Sequence, residues 1–338
     1  MHRIATIGVS TVAALCASMA LAYNQWGPTA TELGRRSFQH RTVVQNLLSS
    51  TLQTKGRKVV FMGDSTMMDS PSWSSLIIRS LKRHWITAVN NVYPGQDVFH
   101  HYCAIGLALE AKPDLVVILA NYRTMYPNRR LGASMSICSA LTPSQLTRSL
   151  QLPFYDRGTT LIRLALIQTL RYEPVLNAVY FLEGLRRLIA SPLLGRTGTA
   201  PARARERRRM TSPNQPLWPS HPHVRMLSAL VEEVRRNGAH PLVVVSPVQP
   251  VLTRSVDAAD PMQSQRSREV VQRAVEDAGG ELIDLHDFLT GSSFRDFGGH
   301  LSPEGHARMF NRLAFRIHKI LGLPPPLAPV FPPRAVVD

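Results

Sequence analysis

Short apolar runs that alternate with helical patterns constrain this chain more than any other feature. The runs cover residues 58–62, 85–92, 114–120, 241–246 and 281–285. Segments with apolar residues at helical spacing lie between these runs and after the last one. They cover residues 72–84, 96–111, 224–237, 263–278 and 303–320. Strands that alternate with helices predict a parallel sheet with right-handed crossovers. The predicted fold class is therefore α/β.

Polar residues and glycines follow the ends of the first three predicted strands. Gly63-Asp64-Ser65 follows the first, Gly95 follows the second and Asn121 follows the third. Open α/β sheets bind ligands at the carboxyl ends of their strands, so we expect these positions at one edge. A serine directly after a strand and a glycine can act as a nucleophile. Taken alone, Ser65 fits an ordinary helix N-cap better than a nucleophile.

The loop after the fifth predicted strand supplies the groups that a serine nucleophile requires. His300 lies in this loop, and Asp296 precedes it by four residues. A neutral imidazole takes the proton of a serine hydroxyl, and a carboxylate fixes the tautomer of the imidazole. We therefore expect Ser65, His300 and Asp296 to be catalytic, with Asp287 as the other carboxylate that could orient the histidine. This chemistry requires no metal and no organic cofactor.

The tetrahedral oxyanion of acyl transfer needs hydrogen-bond donors close to it. The backbone N–H groups of Ser65 and Gly95 and the side-chain amide of Asn121 are predicted to form this oxyanion hole. Gly95 and Asn121 also fit simpler roles, as a left-handed backbone position and a turn residue. The catalytic hypothesis depends on all of these positions meeting at one edge of the sheet.

In this order, the motifs resemble the SGNH/GDSL hydrolase superfamily. The resemblance covers residues 57–125 and 238–321, and residues 300–306 look like the last block of that family. It implies a three-layer α/β/α fold with a parallel, flavodoxin-like sheet. It also implies a Ser nucleophile, an oxyanion hole completed by Gly and Asn, and a His base with an Asp partner. The chain departs from the family in having Asp296 four rather than three residues before His300.

The N-terminal 25 residues predict a membrane anchor or a signal peptide. Residues 4–23 are apolar or small and uncharged, and they are long enough to span a bilayer. Ala20-Leu21-Ala22 also fits a signal-peptide cleavage site, so both alternatives stay open. In either case the body is expected in the periplasm or outside the cell. An uncleaved segment anchors it to the cell membrane, and a cleaved one makes it secreted.

An insertion is predicted to interrupt the domain. Residues 26–56 predict a connecting helix, residues 126–237 a helical and Arg-rich insertion, and residues 322–338 a Pro-rich tail. Within the insertion, residues 196–209 contain six Arg and one Glu, a composition typical of disorder. The insertion is either a lid packed on the core or a set of helices lying on a membrane surface.

The positive charge of the chain is concentrated in this insertion. The 338 residues contain 39 Lys+Arg and 23 Asp+Glu, a formal net charge of +16. Residues 151–237 contain 14 Arg against 6 acidic residues. Such a region suits an acidic envelope polymer or anionic lipid. Nucleic acid is not expected as a partner, because the predicted leader places the body outside the cytoplasm.

These patterns predict an extracytoplasmic serine esterase or O-acyltransferase that acts on ester-linked acyl groups of an envelope polysaccharide or lipid. The architecture is also similar to accessory proteins of teichoic-acid D-alanylation and alginate O-acetylation, which adds a membrane acyltransferase as a partner. The alternative is a catalytically idle SGNH-like domain that binds an envelope polymer or such an acyltransferase. The displaced Asp296 and the basic insertion favour this alternative.

Overall fold

Strands and helices alternate along the described part of the chain. The strands are β1 (Lys58–Gly63), β2 (Thr87–Val92), β3 (Leu115–Ala120), β4 (His240–Val245) and β5 (Glu281–Asp284). The helices are α1 (Trp73–Lys82), α2 (Val98–Glu110), α3 (Pro222–Arg236), α4 (Gln263–Asp277) and α5 (Pro303–Ile320). The structure is a computed structural model, and it describes residues 56–67, 73–92, 98–120, 217–251, 262–295 and 300–326, with isolated helical positions at 24, 28, 178, 181, 182, 185 and 254.

The strands form one sheet in the order β2-β1-β3-β4-β5, and every pairing is parallel. This order is the flavodoxin-like one. The register aligns the carboxyl ends of the strands: Gly63 pairs with Val92, and Val245 pairs with both Ala120 and Asp284. The parallel α/β sheet predicted from the alternation of strands and helices is confirmed.

Helices cover both faces of this sheet. Helices α1 and α5 pack together on one face, and α3 packs against α2 and α4 on the other. Successive side chains of a strand point to opposite faces. In β1, Val59 and Phe61 therefore belong to the buried cluster under α1 and α5, whereas Val60 and Met62 belong to the other. The protein has the three-layer α/β/α arrangement that the sequence resemblance implied.

Burial along the strands follows their position in the sheet. The central strand β3 reads Leu-Val-Val-Ile-Leu-Ala and is buried at every position, as expected for a strand covered on both faces. The edge strand β5 has only four residues, and none of them is fully buried. An apolar run without polar alternation therefore identifies the centre of this sheet.

Helix α3 belongs to the core and not to the predicted insertion. Val224, Leu227 and Val231 are fully buried in the cluster shared with α2 and α4. This helix is the last part of the crossover between β3 and β4, and Leu217 just before it is also buried. The predicted boundary at residue 238 is therefore too late, because the second half of the domain begins at or before residue 217. The apolar residues at helical spacing in α3 are buried in the core, even though an Arg-rich stretch lies upstream in the sequence.

Several predicted segments lie outside the described residues, apart from isolated helical positions. They are the anchor or signal peptide at 1–25, the connecting helix at 26–55, the insertion from 126 to 216 and the tail beyond 326. Among the residues that are described, no helix is long and apolar enough to cross a membrane.

Candidate active site

Ser65 opens a single turn of 3₁₀ helix directly after β1. The turn covers Ser65–Met67, and the Met67 N–H donates a hydrogen bond to the Asp64 carbonyl at 3.1 Å. A Cβ atom on Gly63 would collide with the sulfur of Met67, so glycine is required where the turn folds back on the strand. The sequence Gly-Asp-Ser therefore builds a tight corner at the carboxyl edge of the sheet.

The carboxylate of Asp64 holds this corner in place. Its Oδ1 accepts hydrogen bonds from the backbone N–H of Thr66 at 2.8 Å and from the Thr66 hydroxyl at 2.7 Å. Asp64 is 6% exposed and Thr66 is 5% exposed, so these bonds form away from water. Ser74, in the first turn of α1, donates to the Met67 carbonyl at 2.7 Å. The backbone around Ser65 is thus fixed by its neighbours before any substrate binds.

The role of Asp64 was missed by the sequence analysis, although a local signal was present. An aspartate whose side chain accepts a hydrogen bond from the backbone two residues later forms an Asx turn. The order Asp64-Ser65-Thr66 has the acceptor and the donor at this spacing. The middle residue of the motif therefore has a structural role that supports the serine after it.

His300 lies in the loop that leads into α5. The Arg295 N–H donates to the His300 carbonyl at 2.8 Å, next to an antiparallel bridge between Phe294 and Leu301. His300 is half-buried, whereas Phe294 and Leu301 are buried. The backbone of the histidine is therefore anchored on both sides.

The N-terminus of α5 fixes the C-terminal end of the same loop. The Ser302 hydroxyl accepts a hydrogen bond from the Gly305 N–H at 3.2 Å, and Pro303 occupies the first helical position. The Ser302 N–H in turn donates to the Ser293 carbonyl at 2.8 Å. Ser302 is therefore the N-cap of α5, and Pro303 suits the first helical position because that position needs no N–H.

The Ser65 turn and the His300 loop lie at one edge and on one face of the sheet. Met67, which ends the turn, belongs to the buried cluster under α1 and α5, and so do Phe294 and Leu301. Helices α1 and α5 both follow the carboxyl end of a strand, and they pack against each other. Their N-termini therefore bring the two predicted catalytic segments to the same edge.

The remaining predicted site residues lie outside the described residues. Strand β2 ends at Val92, three residues before Gly95, and β3 ends at Ala120, directly before Asn121. Both strands end at the edge where Ser65 lies. The roles of Gly95 and Asn121 in an oxyanion hole, and that of Asp296 beside His300, stay predictions.

Asp287, the other carboxylate that could orient His300, binds two different side chains. Its Oδ1 accepts a hydrogen bond from His286 Nδ1 at 2.7 Å, and its Oδ2 accepts one from Arg268 at 2.7 Å. Burial raises the pKa of Asp287, but the hydrogen bonds and charges of His286 and Arg268 outweigh burial and lower it. Both oxygens of Asp287 are therefore engaged by side chains other than His300.

A pair of buried histidines begins α3 at the same edge, on the other face of the sheet. His221 caps this helix, and its Nδ1 accepts a hydrogen bond from the His223 N–H at 3.3 Å. Burial, followed by the charge of His223, lowers the pKa of His221 to about 4. The ring of Trp218 contacts His221 edge-on, with centroids 4.8 Å apart. His221 is thus a neutral helix cap at neutral pH.

No group of three or more His, Cys, Asp or Glu side chains that could hold a metal ion occurs among the described residues. The described part of the candidate site consists of the Ser65 turn and the His300 loop.

No protein-family model matches the chain, and no curated protein matches it. Solved structures do match in overall shape. A lipase/acylhydrolase from Enterococcus faecalis matches 80% of this chain and 98% of its own, at 14% identity and a TM-score of 0.40. A catalytic mutant of an acetylxylan esterase from Geobacillus stearothermophilus matches 80% and 96%, at 13% identity and a TM-score of 0.41.

A putative lipolytic protein of the G-D-S-L family from Desulfitobacterium hafniense matches 77% of this chain and 98% of its own, at 12% identity and a TM-score of 0.36. These similarities are distant. The function of this chain has to be inferred from its own residues.

Proposed function

We propose that this chain is an SGNH/GDSL-type serine esterase or O-acyltransferase. The observation that supports the proposal is the preformed Ser65 turn at the end of β1, at the same edge and on the same face as the His300 loop. A corner that buries a carboxylate to hold one backbone N–H and one hydroxyl is a costly arrangement for a mere connection between a strand and a helix. It is a suitable support for a nucleophile.

In the proposed reaction, the Ser65 hydroxyl attacks the carbonyl carbon of an acyl ester while His300 accepts the hydroxyl proton. Backbone N–H groups of Ser65 and Gly95, with the Asn121 amide, stabilise the oxyanion. The alcohol leaves with the proton from His300, and the acyl group stays on Ser65. Water or a sugar hydroxyl then attacks the acyl-enzyme and gives its proton to His300. The bond from the acyl carbon to the Ser65 oxygen breaks, His300 returns the proton to that oxygen, and the acid or a new ester is released.

The proposed substrate is an acyl ester of an envelope polysaccharide or lipid, and the proposed location is outside the cytoplasm at the cell membrane. The uncharged apolar segment at residues 4–23 supports a membrane anchor. The Arg-rich stretch within residues 151–237 supports an anionic partner. A membrane acyltransferase that supplies acyl groups is the partner expected for the transferase form of the reaction.

A comparison of Ser65→Ala with the full wild-type chain tests the nucleophile. With p-nitrophenyl acetate as substrate, we expect Ser65→Ala to lower kcat/KM by about 10³-fold or more, because the attacking hydroxyl is gone. Ser292→Ala is the matched control, since Ser292 is exposed and its hydroxyl forms a hydrogen bond with the nearby Thr290. This control should retain wild-type activity.

Labelling with a fluorophosphonate gives an independent readout, because only an activated serine reacts with this probe. Wild type should be labelled and Ser65→Ala should not. A wild-type protein that is neither active nor labelled would overturn the enzymatic proposal in favour of an idle, polymer-binding domain.

A further inference from the structure

At the sheet edge opposite Ser65, the turn between α1 and β2 holds a tryptophan in solvent. Trp85 is 93% exposed, and its backbone has the left-handed φ of 58°. This conformation is unfavourable for a bulky residue. An indole in water also contributes none of the burial energy that tryptophan normally provides. The fold therefore gains nothing from a tryptophan at this position, and the side chain is available to a partner.

Three exposed cations shortly precede Trp85 in the sequence. Arg79, Lys82 and Arg83 precede it at the end of α1, and all three are exposed. Helix α1 contains no acidic residue. In the part of the chain that the structure describes, none of these cations forms an ion pair with a carboxylate. This surface is therefore suited to an anionic partner.

The last turns of α5 extend the same surface. The ring of His84 contacts the ring of His318 edge-on, with centroids 5.4 Å apart, so the Trp85 turn lies against the end of α5. Phe315 is 57% exposed on this helix. The exposed side of α5 adds Arg312, Phe315 and Lys319. Two exposed aromatic side chains thus lie among five cations.

The chain also enters the domain at this edge. The Thr87 N–H donates to the Arg57 carbonyl at 3.0 Å, so the start of β1 lies beside the residue two positions after Trp85. The Arg57 side chain binds the Leu321 carbonyl at the end of α5. Residues 1–55 precede this point and include the apolar segment at 4–23. A membrane segment there would tether the domain to the bilayer through the start of β1.

We propose that this basic-aromatic face rests on a bilayer with anionic headgroups; it consists of Arg79, Lys82, Arg83, Trp85, Arg312, Phe315 and Lys319. Tryptophan and phenylalanine favour the interface between headgroups and acyl chains, and cations bind anionic lipid. Paired exposed aromatics and the entry point of the chain favour a bilayer over a soluble acidic polymer.

This orientation has a consequence for the substrate, which rests on the proposed function. Ser65 and His300 lie at the sheet edge opposite Trp85, so the length of the α1/α5 layer separates them from the turn that rests on the bilayer. Acyl esters on a hydrated polymer reach that edge, whereas acyl esters of lipids in the same bilayer do not. The substrate is therefore the envelope polysaccharide and not the membrane lipid.

Quenching by brominated lipid tests the orientation in the full chain. The chain has four tryptophans, so the Trp85 signal is the difference in emission between wild type and Trp85→Asn. Asparagine tolerates a left-handed backbone. In vesicles of phosphatidylglycerol and phosphatidylcholine with brominated chains, we expect the Trp85 signal to be quenched. Trp218→Phe is the matched control, because Trp218 lies at the carboxyl edge and its signal should escape quenching.

A Trp85 signal that is not quenched, or a Trp218 signal that is quenched more strongly, would overturn the proposal. Equal quenching of Trp85 in phosphatidylcholine alone would overturn the assignment of an anionic surface. The Ser65→Ala chain should show wild-type quenching, so a failure of this proposal and a failure of the enzymatic one can be told apart.

Charge reversal tests the cations separately. Lys82→Glu combined with Arg83→Glu should weaken the lipid-dependent quenching of Trp85, since each cation near an anionic surface contributes roughly fivefold to binding. Arg225→Glu combined with Arg273→Glu changes the net charge equally on the α3/α4 face, where both residues are exposed. This control should leave the quenching unchanged. If the two double substitutions weakened the quenching equally, binding would depend on net charge and not on the basic-aromatic face.

Discussion

The Ser65 turn and the His300 loop are held in different ways. The turn is fixed within a few residues by the buried carboxylate of Asp64, which binds both donors of Thr66. The loop is fixed by backbone hydrogen bonds and by the Phe294–Leu301 bridge, while His300 itself is half-buried. The position of Ser65 is thus set by local sequence, whereas the position of His300 depends on the packing of α5.

This difference predicts how substitutions act in each segment. Side chains of the turn contribute to folding as well as to chemistry, so changes there should affect stability and activity together. Side chains around His300 are supported by a backbone that does not depend on them. Changes there should affect activity with little effect on stability.

The largest expected effect is on activity and concerns the carboxylate that orients His300. Asp296→Asn should lower kcat/KM by about 10²–10⁴-fold, because the imidazole loses the group that fixes its tautomer. Asp287→Asn should lower kcat/KM by less than about tenfold, since Asp287 binds His286 and Arg268. A larger loss in Asp287→Asn than in Asp296→Asn would show that the loop is organised differently.

The next effect is on stability and concerns the turn. Gly63→Ala places a Cβ atom against the Met67 sulfur, and the strain should lower the free energy of unfolding by roughly 1–3 kcal/mol. Urea denaturation followed by circular dichroism measures this change. Gly291→Ala is the control, because nothing lies within 4 Å of a Cβ there. Equal denaturation midpoints for the two variants would contradict the tight corner after β1.

The smallest effect concerns the cap below the His300 loop. Ser302→Ala removes the acceptor for the Gly305 N–H and should lower the free energy of unfolding by about 1 kcal/mol. Ser302→Asn retains an acceptor and should stay close to wild type. If the alanine variant lost activity far beyond its loss of stability, the loop would depend on side chains as strongly as the turn does.

Sequence reasoning succeeded where local patterns decide the structure. The apolar runs predicted the five strands, and the helical spacing over residues 303–320 predicted α5. Both follow from chemistry within a few residues. The placement of Ser65 just after a strand was predicted on the same basis.

Sequence reasoning failed where distant residues decide the structure. The insertion was predicted to extend to residue 237, but α3 packs with α2 and α4 in the core. The ion pair of Asp287 with Arg268 was not predicted, because Arg268 lies on α4 and reaches Asp287 only after α4 packs beside β5. Long-range pairs of this kind leave no periodic trace in a sequence.

The pairing of α1 with α5 joins the two ends of the domain and so determines when the protein can work. During synthesis, the apolar sides of β1 and α1 emerge early, but their cover arrives only with residues 303–320. Until then, one layer of the fold is missing and the histidine proposed to activate Ser65 has not been made. A nascent or truncated chain is therefore expected to be inactive until the C-terminal helix packs against the first one.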